Sequence, residues 1–435
     1  MAENSIPESA FPRVVIVGGG FGGIELAKRL KKQDVQVLML DRHNYHTFQP
    51  LLYQVATGGL EADSIAFPLR KIFKGYPNFT FRITEVLRVD PQLKTLETTI
   101  GDIKYDYLVI ATGSDTNFFG QKKMEHFTMS MKTIPEALNL RSMILQNLEE
   151  ALISSDPDAK DSLMNFVVVG GGPTGVELSG ALAELKKHVL PKDYPELNID
   201  NMDIYLIEGS AAILGGMSPQ ASKKAKDFLE EMGVIVLTDL LVESYDGAVI
   251  KLSNGRSILT KNVLWSAGVK GCVLEGIPKE SITKGNRILV DPYNKVKDLE
   301  NIFAIGDVAA MITEKYPNGH PGVAPAAIQQ GEVLAQNFLR MIKNQQPKPF
   351  IYNDKGSMAT VGRNKAVVDI GKIRFQGVFA WFVWMFVHLM SLVGFRNKVV
   401  TFVNWVWSYF SYDRGIRLII RPFSRESMTE DITVK

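Results

Sequence analysis

Apolar runs of strand length recur along the chain, and two of them are followed at once by a cluster of glycines. Val14–Val17 precedes Gly-Gly-Gly-Phe-Gly-Gly, and Phe166–Val169 precedes Gly-Gly-Gly-Pro-Thr-Gly. After each cluster the apolar residues are spaced by three and four positions, which predicts an amphipathic helix. A second apolar strand, Val35–Leu40 or Ile204–Ile207, then ends at an acid. The pattern predicts two strand–helix–strand units, each with a glycine-rich turn.

The glycines of the first cluster suit a dinucleotide-binding turn, because each has a separate steric role. Gly18 permits the tight turn, Gly20 lets a pyrophosphate approach the backbone, and Gly23 lets the helix pack against the strand. Asp41 follows Gly18 by 23 positions and is placed to accept hydrogen bonds from a ribose. The strands, the helix and the acid together favour a dinucleotide site over a glycine-rich turn without a ligand.

The second cluster repeats this arrangement at Gly170, Gly172 and Gly175, with Glu208 as the acid. Glu208 lies 38 positions after Gly170, and we attribute the long spacing to a polar, proline-containing surface insertion, His188–Asn201. An acid at this position repels a 2′-phosphate, which favours NADH over NADPH.

Glu177 is an unusual residue for the first turn of a helix that would receive a pyrophosphate. The helix dipole stabilises a carboxylate at this end, which would make the residue structural. A role beside a bound nicotinamide is the alternative, and the sequence leaves both open.

Three further apolar strands end in small-residue turns, and they cover Tyr107–Gly113, Val263–Val269 and Asn301–Asp307. Such turns suit strands that return beside a nucleotide and cross to another domain. The acid that ends the third strand is placed to hold a polyol such as the ribitol of FAD. We therefore predict one site for a resident flavin dinucleotide and one for a nicotinamide dinucleotide that comes and goes.

Composition excludes several classes of protein. Hydrophobic residues make up 46% of the chain and charged residues 22%, which excludes a disordered or collagen-like chain. The only cysteine, Cys272, excludes a disulfide or a two-cysteine redox relay, and His43 and His46 lack a third ligand for a metal. No nucleic-acid-binding module is recognisable. The first residues lack a secretory signal, so we expect a chain that is cytosolic or faces the cytosol.

The net charge of +2 conceals a basic, tryptophan-rich tail. Residues 371–421 contain seven basic residues and one acid, and four of the five tryptophans lie there. Residues 375–395 lack charged side chains, and as one helix they would span roughly 30 Å, enough to cross a bilayer. Gly377, Gly394 and three polar residues argue against such a helix.

The next segment has one polar stripe, formed by Asn397, Thr401, Asn404 and Ser408, with apolar residues on its other faces. We predict two amphipathic helices that lie in one leaflet of a membrane. The alternatives are a transmembrane helix, packing of both helices on the body, and a dimer contact.

Together, the nucleotide-binding elements resemble the flavoproteins with two dinucleotide-binding domains, the glutathione-reductase-like class, from residue 12 to about 335. The resemblance implies an α/β fold with two Rossmann-like domains, in which the NAD domain splits the FAD domain. Disulfide reductases and sulfide:quinone reductases of this class need paired cysteines, so Cys272 alone excludes them.

Three further segments resemble the type II NADH:quinone oxidoreductases. They are the block after the first acid, Tyr45–Gly58, the predicted strand region Lys355–Val367, and the tail Ala380–Lys398. The resemblance then spans almost the whole chain. It implies a non-pumping NADH dehydrogenase of a respiratory chain, a peripheral flavoprotein anchored to one side of the membrane.

The resemblance also implies the residues that contact each dinucleotide. Those expected to contact FAD are Gly18, Gly20, Phe21, Gly22, Gly23, Asp41, Arg42, Gln49, Ala111, Thr112, Gly113, Gly306, Asp307, Ala324 and Ala327. Those expected to contact NADH are Gly170, Gly172, Pro173, Thr174, Gly175, Glu177, Glu208, Ala267 and Gly268.

The family carries Ala-Gln-x-Ala followed by Gln-Gln along its flavin and quinone pocket. Here Pro325 replaces the first glutamine of the segment 324–330. The resemblance therefore implies Gln329 and Gln330 as catalytic contacts of the quinone, unless apolar contacts alone hold the quinone, whereas Glu177 is the catalytic candidate beside the nicotinamide. The alternative is that Pro325 begins a helix that carries ordinary exposed glutamines.

We predict an FAD domain in residues 1–125 and 291–370, an NADH domain in 126–290 and a membrane anchor in 371–435. The predicted function is transfer of a hydride from NADH to FAD and then of two electrons to menaquinone or ubiquinone, without proton pumping. We expect a homodimer at the cytoplasmic face of the inner membrane. The alternatives are an NADH-dependent ferredoxin or rubredoxin reductase and an NADH-sensing flavoprotein similar to apoptosis-inducing factor.

Overall fold

The computed structural model describes residues 6–411 and 417–420, and the chain divides into two compact units. Three segments form each unit: Met1–Thr47, Ala66–Asp115 and Val269–Lys355 in the first, and Phe48–Ile65, Thr116–Gly268 and Gly356–Lys435 in the second. Residues 412–416 and 421–435, which the predicted anchor included, lie outside the described residues. The predicted division differs, because it kept 48–65, 116–125 and 356–370 with the FAD domain, kept 269–290 with the NADH domain and set the tail apart.

The core of the first unit is a parallel sheet of five strands, in the order Ile302–Ala304, Tyr107–Ile110, Arg13–Val17, Gln36–Asp41 and Phe79–Ile83. Val14, Val15 and Ile16 are fully buried, because both faces of the sheet are covered. Helices Phe21–Arg29 and Ala324–Ile342 pack on one face, and an antiparallel sheet covers the other.

The shorter elements of the first unit complete these layers. The antiparallel sheet consists of Val86–Asp90, Thr95–Thr98 and Ile103–Lys104. Further strand pairs are Tyr45–Thr47 with Ala66–Pro68, Ile288–Leu289 with Ala309–Ala310, and Ser114–Thr116 with Val269–Gly271. The remaining helical segments are Leu69–Ile72, Lys279–Ser281 and Gly306–Val308.

The second unit has a four-stranded parallel sheet in the order Val234–Leu237, Ile204–Ile207, Phe166–Val169 and Asn262–Trp265. Two antiparallel sheets accompany it, made of Val242–Tyr245, Val249–Leu252 and Ser257–Leu259, and of Ser357–Gly362, Lys365–Ile370 and Ile373–Gln376. Its helices are Leu52–Ala56, Ala62–Ile65, Lys122–Phe127, Ile134–Ile153, Pro157–Met164, Pro173–His188, Leu190–Asp193, Pro219–Glu231, Val378–Ser391 and Phe395–Ser411. The predicted α/β fold with two Rossmann-like units is confirmed.

The segment 188–201 follows helix Pro173–His188 with most of its residues exposed, as its polar composition predicted, but it has regular structure of its own. It forms the short helix Leu190–Asp193 and a 3-10 turn at Ile199–Asn201. Five apolar side chains are buried along it: Val189, Leu190, Tyr194, Leu197 and Ile199. These residues anchor the segment, because burying them removes apolar surface from water.

Two helices follow the last antiparallel sheet, and a glycine in the left-handed region stands before each of them. Gly377 has a φ of 81° and Gly394 a φ of 88°, and they interrupt the uncharged stretch as expected. The first helix, Val378–Ser391, has 14 residues and is roughly 21 Å long. None of the helices within residues 6–411 and 417–420 combines the length and apolar character needed to cross a membrane.

The second of these helices, Phe395–Ser411, turns its polar stripe inward. Asn397 and Thr401 are 4% and 0% exposed, whereas Phe402 and Trp407 are 51% and 66% exposed. A helix on the surface of a water-soluble protein has the opposite orientation. The first helix behaves in the same way, with Trp384 buried and three phenylalanines exposed at Phe379, Phe382 and Phe386.

Candidate active site

The first glycine-rich turn has the shape of a pyrophosphate cradle. Gly18 has a φ of 113°, and a Cβ atom there would lie 2.3 Å from the carbonyl oxygen of Ala111. A Cβ at Gly23 would lie 2.1 Å from the carbonyl oxygen of Gly18, so neither position accommodates a side chain. Gly20 caps the following helix, and apart from its chain neighbours no atom of the described residues lies within 4 Å of where its Cβ would stand. Space therefore remains in front of the helix N-terminus, where an anion binds.

The second turn repeats this geometry in the other unit. Gly170 has a φ of 108°, and a Cβ there would lie 2.6 Å from Cα of Ala267. A Cβ at Gly175 would lie 1.9 Å from the carbonyl oxygen of Gly170, whereas Gly172 again faces open space. Pro173 and Thr174 begin the helix and are exposed beside that space. The expected contact Gly268 follows Ala267 directly, and its carbonyl oxygen accepts a hydrogen bond from the backbone N–H of Asn117 (3.0 Å).

The two predicted acids lock the two turns by the same pair of hydrogen bonds. Asp41 accepts one from the backbone N–H of Gly19 (2.6 Å) and one from that of His43 (2.7 Å). Glu208 accepts one from the backbone N–H of Gly171 (2.6 Å) and one from that of Ser210 (2.8 Å). Burial raises the pKa of the Glu208 carboxyl, but the hydrogen bonds outweigh it, so the net shift is downward and the group stays charged.

His46 braces the first turn, a role that no pattern in the sequence indicated. Its ring is buried, Nδ1 lies 3.1 Å from the carbonyl oxygen of Gly19, and its edge packs on Phe21. Burial lowers the pKa of His46 to about 4, which keeps the ring neutral. In the part of the chain that the structure describes, no group of three or more possible metal ligands comes together.

The predicted ribitol contact, Asp307, lies on a turn held from both sides. Its Oδ2 accepts a hydrogen bond from Ser114 Oγ (2.7 Å), and the backbone N–H of Gly306 donates to Oε1 of Gln330 (2.7 Å). Ala327 lies beside this turn, 3.4 Å from where a Cβ of Gly306 would stand. Gln330 is 2% exposed, so its amide is a structural partner of the turn.

The side-chain amide of Gln329 also has hydrogen-bond partners within the protein. Its Oε1 accepts from the backbone N–H of Asn353 and its Nε2 donates to the same residue's carbonyl oxygen, both at 2.9 Å. Pro325 lies in the first turn of helix Ala324–Ile342, as one of the two interpretations expected. The role of both glutamines at a quinone therefore stays a prediction.

The remaining predicted FAD contacts lie in varied positions. Thr112 donates through Oγ1 to the carbonyl oxygen of Cys272 (2.6 Å), and Gly113 follows with a φ of 71°. Arg42 is exposed, with a guanidinium nitrogen 3.9 Å from a carboxylate oxygen of Glu85. Gln49 belongs to the second unit, where its Nε2 donates to the carbonyl oxygen of Lys132 (3.4 Å).

The second unit also contains a pocket with aromatic walls, which we call the tryptophan pocket. Helices Leu52–Ala56, Pro173–His188, Val378–Ser391 and Phe395–Ser411 and strand Ser357–Gly362 all contribute to it. Its aromatic lining consists of Tyr53, Trp381, Trp384, Trp405 and Tyr409, and its polar lining includes Gln54, Glu177, Glu184, Thr360 and Arg363. A concave site in which aromatic walls surround several convergent polar groups is typical of a small-molecule site.

Gly180 sets the shape of this pocket. A Cβ at Gly180 would lie 2.0 Å from the carbonyl oxygen of Val361, so only glycine lets strand Ser357–Gly362 lie directly on helix Pro173–His188. This contact brings Thr360 within 3.4 Å of Glu177, measured from its backbone nitrogen to Oε1. A glycine inside a helical pattern signals such a close approach, and it was overlooked in the sequence.

Glu177 is the buried carboxyl of the tryptophan pocket, at 8% exposure. Burial raises its pKa to about 8, opposed weakly by the N–H groups of Thr360 and Trp384. The indole N–H of Trp384 favours the charged carboxylate by its proximity but has no acceptor at hydrogen-bonding geometry among the described residues. At neutral pH most molecules therefore carry a protonated carboxyl here.

Arg363 closes one side of the pocket. Its guanidinium donates to the carbonyl oxygens of Ser408 (2.6 Å) and Tyr409 (2.8 Å) and lies 5.0 Å from the centre of the Tyr409 ring. Its backbone N–H donates to Glu184 on helix Pro173–His188. Arg363 thus links the C-terminal end of helix Phe395–Ser411 to helix Pro173–His188, which carries Glu177.

Comparison with known proteins defines the class to which this fold and these cradles belong. Residues 12–331 match the model of the pyridine nucleotide-disulphide oxidoreductase family, and residues 355–411 match the NDH2 C-terminal domain. The chain is similar in structure to NDH2 from Plasmodium falciparum solved in complex with NADH, with a TM-score of 0.85 and 20% identity, over 94% of this chain and all of that one.

Two curated relatives of Mycobacterium tuberculosis are named type II NADH:quinone oxidoreductases. NdhA is 37% identical over 93% of this chain and 88% of its own length, and Ndh is 36% identical over 93% and 89%. The chain therefore belongs to the type II NADH:quinone oxidoreductase family of flavoproteins. The resemblance noted in the sequence is confirmed, with FAD as the cofactor of the family's fold and NADH as its nucleotide substrate.

Proposed function

We propose that the protein oxidises NADH and reduces a membrane quinone, without pumping protons. When bound, FAD would accept the two electrons of NADH as a hydride and pass them to the quinone. The residues of the first unit fit FAD, because the open helix N-terminus at Gly20 suits the pyrophosphate, Asp41 the ribose and Asp307 the ribitol. The matching turn with Glu208 in the second unit would hold NADH.

The apolar side chains that the two C-terminal helices expose are the reason why we propose a membrane quinone as the electron acceptor. Helix Phe395–Ser411 buries its polar stripe and exposes its apolar side chains, which is favourable only against an apolar medium. The side chains of Lys372, Arg374 and Arg396 are exposed near this surface in the chain. Basic residues beside apolar ones suit an anionic leaflet, and they support attachment at the cytoplasmic face.

We further propose that the quinone headgroup enters the tryptophan pocket. The pocket lies against both outward-facing helices, its aromatic walls suit a planar ring, and Glu177 offers a proton to a carbonyl oxygen. In this assignment, Gln54 and Trp405 hold the wall in place through the hydrogen bond from Trp405 Nε1 to Gln54 Oε1 (2.8 Å). The expected glutamine contacts, Gln329 and Gln330, would then act only through their structural hydrogen bonds.

A membrane-surface variant tests the proposed function. The double variant Phe402→Glu/Trp407→Glu puts two acids on the outward surface, whereas Ile153→Glu makes the same change at a residue that is 85% exposed elsewhere in the second unit. We expect the double variant to lose flotation with phosphatidylglycerol vesicles and, by about tenfold or more, turnover with a long-chain menaquinone in those vesicles. Reduction of a soluble dye by NADH should remain. Full vesicle-bound activity of the double variant would refute a membrane acceptor.

Stopped-flow kinetics separates the quinone reductase from the two alternatives. The purified protein should be yellow, be reduced by NADH and be reoxidised by menaquinone or ubiquinone analogues within seconds. A reduced protein that reacts with ferredoxin but not with quinones would favour a ferredoxin reductase. A stable NADH complex without turnover would favour a sensor. The expected homodimer stays a prediction. Measuring the molecular mass of the detergent-solubilised protein tests it.

A further inference from the structure

Arg287 of the first unit makes an unusual set of contacts, since its guanidinium donates only to backbone carbonyl groups. Nε donates to Asp307 (2.9 Å) and Nη1 to Asn318 (3.2 Å), while Nη2 donates to Ala309 and to His320 (2.9 Å). One side chain therefore joins the turn that carries Asp307 to the loop around residues 318–320. Arginine suits this geometry, because its donors form a rigid planar fork.

The position of the Arg287 guanidinium, partly removed from water, disfavours its charged form. Burial lowers the pKa of Arg287, and the nearby carboxylate of Asp307 acts in the opposite direction. A largely buried cation that is stabilised by carbonyl dipoles and one carboxylate has few alternative positions. The turn and the loop are thus fixed relative to each other by a group that cannot move far.

The Asp307 carboxylate is confined from two other directions. Ser114 Oγ donates to its Oδ2 (2.7 Å), and a Cβ at Gly322 would stand 3.2 Å from its Cγ. Gly322 follows directly after the loop that Arg287 holds. A shift of that loop would therefore move the wall beside the carboxylate, as well as the turn that carries it.

The loop has an anchor of its own. His320 is 4% exposed, and its ring packs against Tyr316 and Phe350, with ring centres 4.8 Å and 5.3 Å apart. Loss of Arg287 would therefore leave the loop packed and release mainly the turn at residues 306–309. The expected defect is local to the Asp307 carboxylate.

We propose that Arg287 is a positioning residue for FAD, because it holds Asp307 where the carboxylate can bind the ribitol hydroxyls. This inference rests on the proposed binding of FAD to the first unit. A lysine cannot replace Arg287, because one ammonium group cannot reach four carbonyl groups in two segments.

The test compares Arg287→Ala and Arg287→Lys with Arg13→Ala in the full chain. Arg13 also donates to backbone carbonyls, those of Lys104 and Pro7, but it begins the central strand Arg13–Val17, at the end of that strand opposite to the glycine-rich turn. The readout is the dissociation constant of FAD from the apoprotein, measured by quenching of flavin fluorescence. We expect a rise of about tenfold or more for both Arg287 variants, and less than about twofold for Arg13→Ala.

Two further readouts separate positioning from a general loss of structure. Millimolar guanidinium should partly restore FAD affinity to Arg287→Ala and do nothing for Arg13→Ala, and NADH affinity of the second unit should stay at the wild-type value. Wild-type FAD affinity in Arg287→Ala would overturn the proposal, and so would an equal loss of NADH binding without rescue. If the wild-type chain itself failed to bind FAD, the proposed function would fall instead.

Discussion

Single residues show what local sequence reveals about this protein and what it does not. The glycines of the two turns were predictable, because Gly18 and Gly170 need a left-handed backbone that the neighbouring strand imposes. Glu177 was left with two roles, because its partner Thr360 lies 183 positions away and no periodicity links them. The structure adds a third role, since the buried carboxyl lines the tryptophan pocket.

We predict that Glu177→Gln slows reoxidation of the reduced enzyme by quinone about 100-fold at pH 7, because it removes a general acid. The pKa of about 8 makes the wild-type rate constant flat below pH 8 and lower above it, and the variant should lose this inflection. Stopped-flow reoxidation from pH 6 to 9 measures both effects. Glu177→Asp, which keeps an acid, should recover part of the rate.

The two half-reactions distinguish the roles of Glu177 that the sequence left open. Reduction of the flavin by NADH should be unchanged in Glu177→Gln if the side chain serves the quinone. A slower reduction by NADH, with normal reoxidation by quinone, would place the carboxyl at the nicotinamide and contradict our assignment.

Among the elements, the C-terminal helices were the most predictable and also the most misleading. Their amphipathic pattern was evident, and the glycines at 377 and 394 marked where each begins. The stripe of Asn397 and Thr401 could be read as facing water, yet it faces the protein, where Asn397 Nδ2 donates to the carbonyl oxygen of Asp63 (3.1 Å). A helical period gives the spacing of a stripe, and only the surrounding medium decides its direction.

Arg363 controls how helix Phe395–Ser411 ends, so we predict that Arg363→Ala raises the KM for quinone by about tenfold. The variant removes two charge-assisted hydrogen bonds to the last turn of the helix, which are worth about 1.5–3 kcal/mol each. The wall formed by Ser408 and Tyr409 would then loosen, whereas NADH-dependent dye reduction should persist.

A matched control for this prediction is Arg396→Ala, at the start of the helix whose last turn Arg363 contacts. Arg396 pairs with Asp63 at 3.6 Å, but both side chains are about two-thirds exposed, at 65% and 67%, so this ion pair contributes little. Steady-state kinetics with a short-chain quinone measures both variants without the influence of membrane binding. An equal rise of KM in the two variants would show that the pocket wall does not depend on the Arg363 cap.

At the scale of the whole molecule, the two parallel sheets were predictable because strand, turn and helix follow one another within about 30 residues. The segment 48–65 was not, because its helix Leu52–Ala56 packs on Ile134–Ile153 and Pro173–His188 of the second unit. The same holds for the tail, which belongs to that unit although it resembled a detachable anchor. Contacts between distant segments leave no local signal.

Removal of residues 377–435 should therefore do more than release the protein from membranes. Trp384 is 1% exposed and Thr401 is fully buried, so the truncation would uncover the core of the second unit. We expect a lower thermal midpoint and weaker NADH binding, measured by differential scanning fluorimetry and titration calorimetry. Phe402→Glu/Trp407→Glu is the control that keeps the helices. A truncated chain with wild-type NADH affinity would show that the tail is dispensable for this unit.

The reversed polarity of helix Phe395–Ser411 has a consequence for handling the protein outside cells. In aqueous buffer its exposed phenylalanines and tryptophan would face solvent. Association with the same surface of a second copy of the protein would remove them from water. We therefore expect the protein to stay dispersed in detergent micelles. Dilution of the detergent below its critical micelle concentration should cause aggregation. Catalytic assays in plain buffer would then report on aggregates rather than on dispersed enzyme.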